Sequence, residues 1–269
     1  MEALLNQTSC FDGDFSKLCR FGQSPFNLKV GRYNVKIADS KDEFIQMLQL
    51  REEVFSGEYG ASPSLLTHAD NYDEHALSLV VKDGNLQKVV ACYRMIPSNF
   101  SDNFYSEEEF CIDDFKSIDE KKIELSRACV AAEYRSGIIL HLLWRGLAEY
   151  VKLFEVRYLF GLSSITSFDI RQIQEIYRYL NEGGYWTEEL DISPKEKFAA
   201  INLGGFDFGK ESKKVGKEIE IPPLLESYLK AGAVVHGAPA WDQEFNCIDL
   251  FTIIDLRSTA KSYFRKYLI

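Results

Sequence analysis

The sequence predicts a mixed α/β protein built on one mixed sheet, and three observations carry that prediction. Two-residue alternation and 3.6-residue periodicity take turns along the chain. The order β-α-β-β, then β-loop-α-β-α, pairs strands first locally and then through helical crossovers, unlike a doubly wound parallel sheet. Of 269 residues, 46% are hydrophobic and 27% charged, a balance that suits a globular core and excludes extended disorder or a fibre.

Residues 1–30 scatter Gly, Asn, Gln and Ser between short apolar pieces and read as an irregular or weakly helical N-terminal extension. A single domain then runs over 31–269, ending in a C-terminal extension from about 218. Tyr33–Ala38 alternates as a strand, and Asp39/Ser40 caps a helix whose Phe44, Leu48, Arg51 and Phe55 recur at helical spacing. Leu77–Lys82 and Val89–Ile96, joined by Asp83-Gly84-Asn85, form a hairpin that Pro97 ends. An acidic loop or short helix leads to the strand Lys122–Val130. The apolar helix Gly137–Phe154 and the strand Tyr158–Leu162 follow, then a helix over Asp169–Leu180 stopped by Gly183-Gly184. The tail adds a helix at Pro222–Lys230, a short strand Ala233–His236, a strand Ile248–Ile254 and a basic helix Ser258–Leu268.

Net charge is −10, which argues against a nucleic-acid partner. Residues 1–120 hold 11 Lys/Arg against 21 Asp/Glu, whereas 121–217 hold 15 against 13, so an acidic partner would dock on the middle third. No run reaches the roughly 18–20 apolar residues of a membrane span. The N-terminus lacks a secretion signal, and the six cysteines form no CxxC pair. These features predict a cytoplasmic chain with reduced thiols, no metal and no tightly bound cofactor.

The stretch around Arg51–Ser164, from Leu50 to Ile165, contains LREEVFSGEYG, then Asp70-x-x-Asp73-x-His75, VVACYRMIP, ELSRACVAAEYRSG and YLFGLSSI, and the tail reads PPLLESYLKAGAVVHGAPAWDQEFNCIDLF. Together these resemble the acyl carrier protein-dependent N-acyltransferases of the GNAT superfamily, in particular the bacterial ornithine-lipid type, over roughly residues 33–255. A more distant likeness to acyl-homoserine lactone synthases lies in Arg51, Phe55, Asp70, Asp73, Glu124 and Arg127. The resemblance implies a three-layer α/β/α fold with a splayed central sheet. It also implies transfer of a 3-hydroxy fatty acyl group from acyl carrier protein to the α-amine of L-ornithine, without an acyl-enzyme, giving lyso-ornithine lipid.

Aminolysis of a thioester needs a base for the amine, stabilisation of the carbonyl oxygen and alignment of both reactants. Glu124, inside an apolar strand, is the candidate base; its structural alternative is a strand carboxylate paired with Arg127 or Arg94. Ser126 points the same way as Glu124, and Arg127 joins this catalytic set only if a bulge reorients it. The resemblance implies such a bulge, with main-chain groups near Cys129, Val130 and Ala131 binding the thioester oxygen. Arg135, Ser136, Gly137 and Ile138 lead into the long helix and suit a pantetheine phosphate, or are an ordinary turn. Ile138 and Leu140 stand where the superfamily has small residues, which favours protein-borne 4'-phosphopantetheine over acyl-CoA. Arg51, Phe55, Asp70 and Asp73 suit a cationic amino acid, as an alternative to solvated surface charge. His75 would orient Asp73, and Arg94 requires a carboxylate partner such as Asp73 or Glu124. Other readings are the same chemistry on glycine or lysine, a coenzyme A-dependent acetyltransferase, and a non-enzymatic acyl-carrier-binding module. An amphiphilic product implies peripheral contact with the inner membrane face, where the last helix would meet anionic lipid, unless its cations simply complement the helix dipole.

Overall fold

The structure is a computed structural model that describes residues 23–59, 70–135, 137–166, 170–199 and 221–257. In chain order the elements are β1 (Asn27–Val30), β2 (Tyr33–Ile37), α1 (Lys41–Tyr59), β3 (Leu77–Asp83), β4 (Lys88–Pro97), β5 (Phe110–Cys111), α2 (Asp113–Ser117), β6 (Lys122–Val130), α3 (Ile138–Phe154), β7 (Tyr158–Ile165), α4 (Ile170–Glu182), β8 (Trp186–Thr187), β9 (Ser193–Pro194), α5 (Pro223–Lys230), β10 (Val234–His236), β11 (Ala240–Asp242) and β12 (Cys247–Asp255). They make a mixed α/β protein whose contacts gather into two compact units.

The first unit spans the described residues up to Asp102 together with Glu124–Glu155. Its strands run in the order β1-β2-β3-β4-β6, antiparallel from β1 through β4. The stretch expected to be irregular ends in a strand, because Asn27–Val30 folds back on Tyr33–Lys36 about Gly31, whose φ of +57° fits a tight turn. Ser40 caps α1: its hydroxyl accepts from the Glu43 amide at 3.3 Å, while the Glu43 carboxylate accepts from the Asp39 amide at 3.3 Å.

The two helices cover opposite faces of this sheet. Helix α3 lies on the face of Val35 and Leu79; a Cβ at Gly146 would meet their methyls at 2.6 and 2.8 Å. Helix α1 sends Arg51 to Cys92, which pairs with Val80 and so points the other way from Leu79. The unit is therefore a three-layer α/β/α sandwich.

The second unit comprises Asn103–Ile123 and the described residues from Val156 onward. Its strands run β7-β12-β10-β8, with β11 also on β12, and β5 pairs with β9 apart from them. Strand β7 is longer than predicted, pairing with β12 from Tyr158↔Asp255 to Ile165↔Ile248. Phe115 meets Tyr158 and Phe160 edge-on at 5.5 and 5.0 Å, and Ile173, Ile176, Tyr177 and Leu180 of α4 pack with Leu225, Leu229 and Ile248. Gly237 has φ of +71°, and a Cβ there would lie 2.1 Å from the Ile192 carbonyl oxygen, so only glycine fits. The predicted basic helix Ser258–Leu268 lies outside the described residues. Among those residues no helix is long and apolar enough to cross a membrane.

Candidate active site

The first unit gathers charged groups on the α1 face of its sheet. Arg94, in the middle of β4, is fully buried at 0% exposure, so its guanidinium requires counter-charge. Its near partner is Asp70, whose two oxygens lie 2.5 and 2.6 Å from Nη1; Asp73 is an outer contact at 3.7 Å. The sequence pointed to Asp73 or Glu124 because it does not reveal how the turn before β3 folds. That turn brings both aspartates forward: the Asp73 amide donates to the Asp70 carbonyl at 3.0 Å, and the Asp70 amide donates to an Asp73 carboxylate oxygen at 3.1 Å. Tyr72, between them, lies under the Arg94 guanidinium at 5.6 Å. Its position within the acidic motif was the only sequence signal for it.

Beneath this layer, Arg51 Nη1 donates to both Asp73 oxygens at 2.9 and 3.0 Å, and both residues are buried. Buried with each other, these two support the site rather than form its open surface. Arg94 Nε donates to Ser126 Oγ at 2.8 Å, which puts Ser126 on the same face. Regular alternation then places Glu124 on that face and Arg127 opposite. Arg127, however, adopts φ of +53°, a left-handed conformation that costs a non-glycine residue about 1–2 kcal/mol. The side chain swings back: Nη2 reaches Asp70 at 3.3 Å, and the guanidinium lies over the Phe55 ring at 5.6 Å. Beyond the switch, Cys129 meets Cys92 on the α1 face, against the alternation set by Ser126. Asp70 thus sits between two guanidiniums with a third of its side chain accessible.

Burial on its own would raise the Asp70 carboxyl, but Arg94 and Arg127 hold it below the ordinary value of 3.8. The Cys129 thiol is pushed well up by burial and by its bond to Cys92. Cys92 is lowered by that same bond and by Arg51. Glu124 is fully buried at 0% exposure, whereas Ser126, Arg127 and Ala128 just beyond it are partly open.

Of the donor-side residues, Cys129 and Ala131 are buried, and the Ala131 amide donates to the Val90 carbonyl at 3.0 Å, which removes it from the expected oxyanion-binding set. Arg135 is exposed and donates from Nε to the Val130 carbonyl at 3.2 Å. Gly137 stands at the N-terminus of α3 with φ of +76° and no side-chain cap, and Ile138 is 49% exposed. Ser136 lies outside the described residues. His75 is exposed at the end of the turn that carries Asp73.

The residues of the second unit best placed to hold a metal are Asp242, Cys247 and Asp249, whose ligand atoms lie within 4.8 Å of one another. Within the trio Cys247 Sγ donates to Asp249 at 3.3 Å, Ser164 donates to Asp249 at 2.5 Å, and Asp242 accepts from the Glu244 and Phe245 amides at 2.7 and 3.0 Å.

Residues 50–145 match the acetyltransferase (GNAT) domain family, a span that holds every predicted site residue from Arg51 to Ile138. The chain is an acyltransferase with a GNAT-like fold. It is similar to the L-ornithine N(alpha)-acyltransferase of Rhodobacter capsulatus, 26% identical over 86% of this chain and 93% of the relative. It is likewise similar to that of Brucella abortus, 26% identical over 89% and 90%. Among solved structures, the N-acyl amino acid synthase FeeM from uncultured soil microbes aligns at 10% identity over 84% of this chain and 92% of its own, with a TM-score of 0.49. The acyl-homoserine lactone synthase LasI aligns at 12% identity over 85% and 91%, also with a TM-score of 0.49. Within the matched span, the left-handed break at Arg127 separates a buried stretch of β6 that includes Glu124 from a partly open stretch after it.

Proposed function

We propose that the chain transfers a 3-hydroxy fatty acyl group from acyl carrier protein to the α-amine of L-ornithine, giving lyso-ornithine lipid. The observation that carries this reading is the Asp70 carboxylate, held ionised between Arg94 and Arg127 and open on one side, in a chain similar over 86% of its length to an L-ornithine N(alpha)-acyltransferase. An ionised carboxylate beside an accessible guanidinium suits an amino acid that presents two ammonium groups and one carboxylate.

The roles divide by burial. Asp70, stabilised as an anion, is a poor base and a good ligand for the ornithine side-chain ammonium. Arg127, partly open, takes the α-carboxylate. Arg51 and Asp73 hold that pair from below, and Phe55 keeps the Arg127 guanidinium in plane. Because the Glu124 carboxyl is fully buried, the α-ammonium gives its proton to it through a water that enters with the substrates. The neutral amine attacks the thioester carbonyl, the C–N bond forms, and the C–S bond breaks to release the pantetheine thiol. Main-chain N–H groups of Cys129 and Val130 are the donors for the developing oxyanion. Arg135 and the uncapped start of α3 receive the pantetheine phosphate.

The test is incubation of the purified chain with 3-hydroxymyristoyl-acyl carrier protein or its coenzyme A thioester, and L-ornithine, glycine or lysine, with products read by mass spectrometry. Nα-acylornithine formed from the carrier-protein donor is the expected result. Product only with another amino acid would replace the acceptor, product only from the coenzyme A thioester would replace the donor, and no product at all would remove the assignment.

A further inference from the structure

We infer that Tyr134 and Asp83 are positioning residues for the acyl donor: their hydrogen bond sets where Arg135 and the start of α3 stand. This rests on the proposed acyl transfer and adds a residue pair outside the charged cluster. Where the chain leaves β6, Lys88 Nζ lies 3.5 Å from the Glu133 carboxylate, an exposed pair worth little. Ala132–Tyr134 makes a single 3-10 turn, Gly137 is left-handed, and α3 begins without a side-chain cap. Arg135 is exposed and leans on its own strand. A donor turn of this kind needs an anchor from elsewhere in the unit.

Tyr134 supplies it. Its ring is buried in the turn, and its hydroxyl donates to Asp83 Oδ2 at 3.0 Å. Asp83, at the end of β3 and fully buried, also accepts from the Asn85 amide at 3.0 Å and lies 3.2 Å from Arg32 Nε. Arg32 comes from the β1–β2 turn and stacks over the Tyr33 and Tyr134 rings at 5.0 and 5.9 Å. The Gly84 amide donates to the Arg32 carbonyl at 2.7 Å, and a Cβ on Gly84 would sit 2.9 Å from that oxygen. Two hairpin ends are thereby fastened to each other, and the donor turn is fastened to both through one hydroxyl. Burial and Asp83 raise the Tyr134 hydroxyl, so it stays protonated and donating.

Tyr134→Phe deletes that one bond and leaves the ring. Asp83→Asn keeps an acceptor for Tyr134 while removing the charge. The experiment measures binding of 3-hydroxymyristoyl-acyl carrier protein and, separately, KM for each substrate and kcat. For Tyr134→Phe, donor affinity and donor KM should weaken about tenfold, the worth of a hydrogen bond to a charged group. Ornithine KM and kcat should stay within about twofold. Asp83→Asn should fall between Tyr134→Phe and the parent. Unchanged donor affinity in Tyr134→Phe, or parallel losses for both substrates, would overturn the inference while leaving the proposed reaction standing. A parent chain that does not bind the carrier-protein donor would overturn both.

Discussion

Asp70→Asn tests the charge arrangement at its centre. The substitution keeps one acceptor oxygen for Arg94 and removes a negative charge shared by two guanidiniums. Arg94, at 0% exposure, would retain Ser126 Oγ at 2.8 Å and the Asp73 carboxylate at 3.7 Å. Breaking a buried pair from one side costs about 3–5 kcal/mol. Asp70 is 33% exposed and asparagine still accepts a bond, so screening reduces the cost to about 2 kcal/mol. In a chain of this size that lowers Tm by roughly 4–8 °C. Because the folded-state carboxyl is depressed, its stabilisation is fully present above the ordinary value of 3.8 and fades as pH falls through the lower folded value. Thermal denaturation of both proteins from neutral pH to about pH 2 should show the gap closing at the acid end. In kinetics, ornithine KM should rise about 10- to 100-fold. An unchanged Tm at neutral pH together with an unchanged ornithine KM would refute the charge account.

The other predictions concern the backbone, the core and a second carboxylate. Arg127→Gly should relieve about 1 kcal/mol of left-handed strain yet abolish measurable turnover, whereas Arg127→Val should lose both turnover and stability; denaturant titration with a product assay separates them. Gly146→Ala should cost about 1–3 kcal/mol by driving α3 off Val35 and Leu79, read as a lower urea midpoint at constant slope. Asp249 has the opposite sign to Asp70. Burial raises its folded value, so the carboxyl favours folding below 3.8 and disfavours it as pH rises through the folded value; the stability of Asp249→Asn relative to the parent should improve with rising pH.

Much of the frame was legible because local pattern and tertiary role agree. The helix after Gly137 read correctly since its apolar residues face a packed layer in a regular period, and Lys122–Val130 read correctly as extended even though its alternation breaks at Arg127. Asn27–Val30 and Ala240–Asp242 did not, because their extended form is set by the ladders to β2 and β12 and not by their own side chains. The strand signal of β7 stops at Leu162 because serine weakens it, whereas in the fold Ser164 hydrogen-bonds Asp249 across the ladder. The charged residues of the site were recognisable individually, but their pairing was not. Arg94 keeps the expected Asp73 at 3.7 Å but takes Asp70 as its nearer partner through the turn around Tyr72, and the expected reorientation of Arg127 comes from a left-handed backbone at that arginine.

The most direct test of the account is a single-turnover measurement on Glu124→Gln, with 3-hydroxymyristoyl-acyl carrier protein binding followed in parallel. Removing the proton acceptor for the amine should slow N-acylation by about 10²- to 10⁴-fold while donor affinity stays at the parent value. N-acylornithine formed at the parent rate by that variant would contradict the assignment of Glu124 as the base.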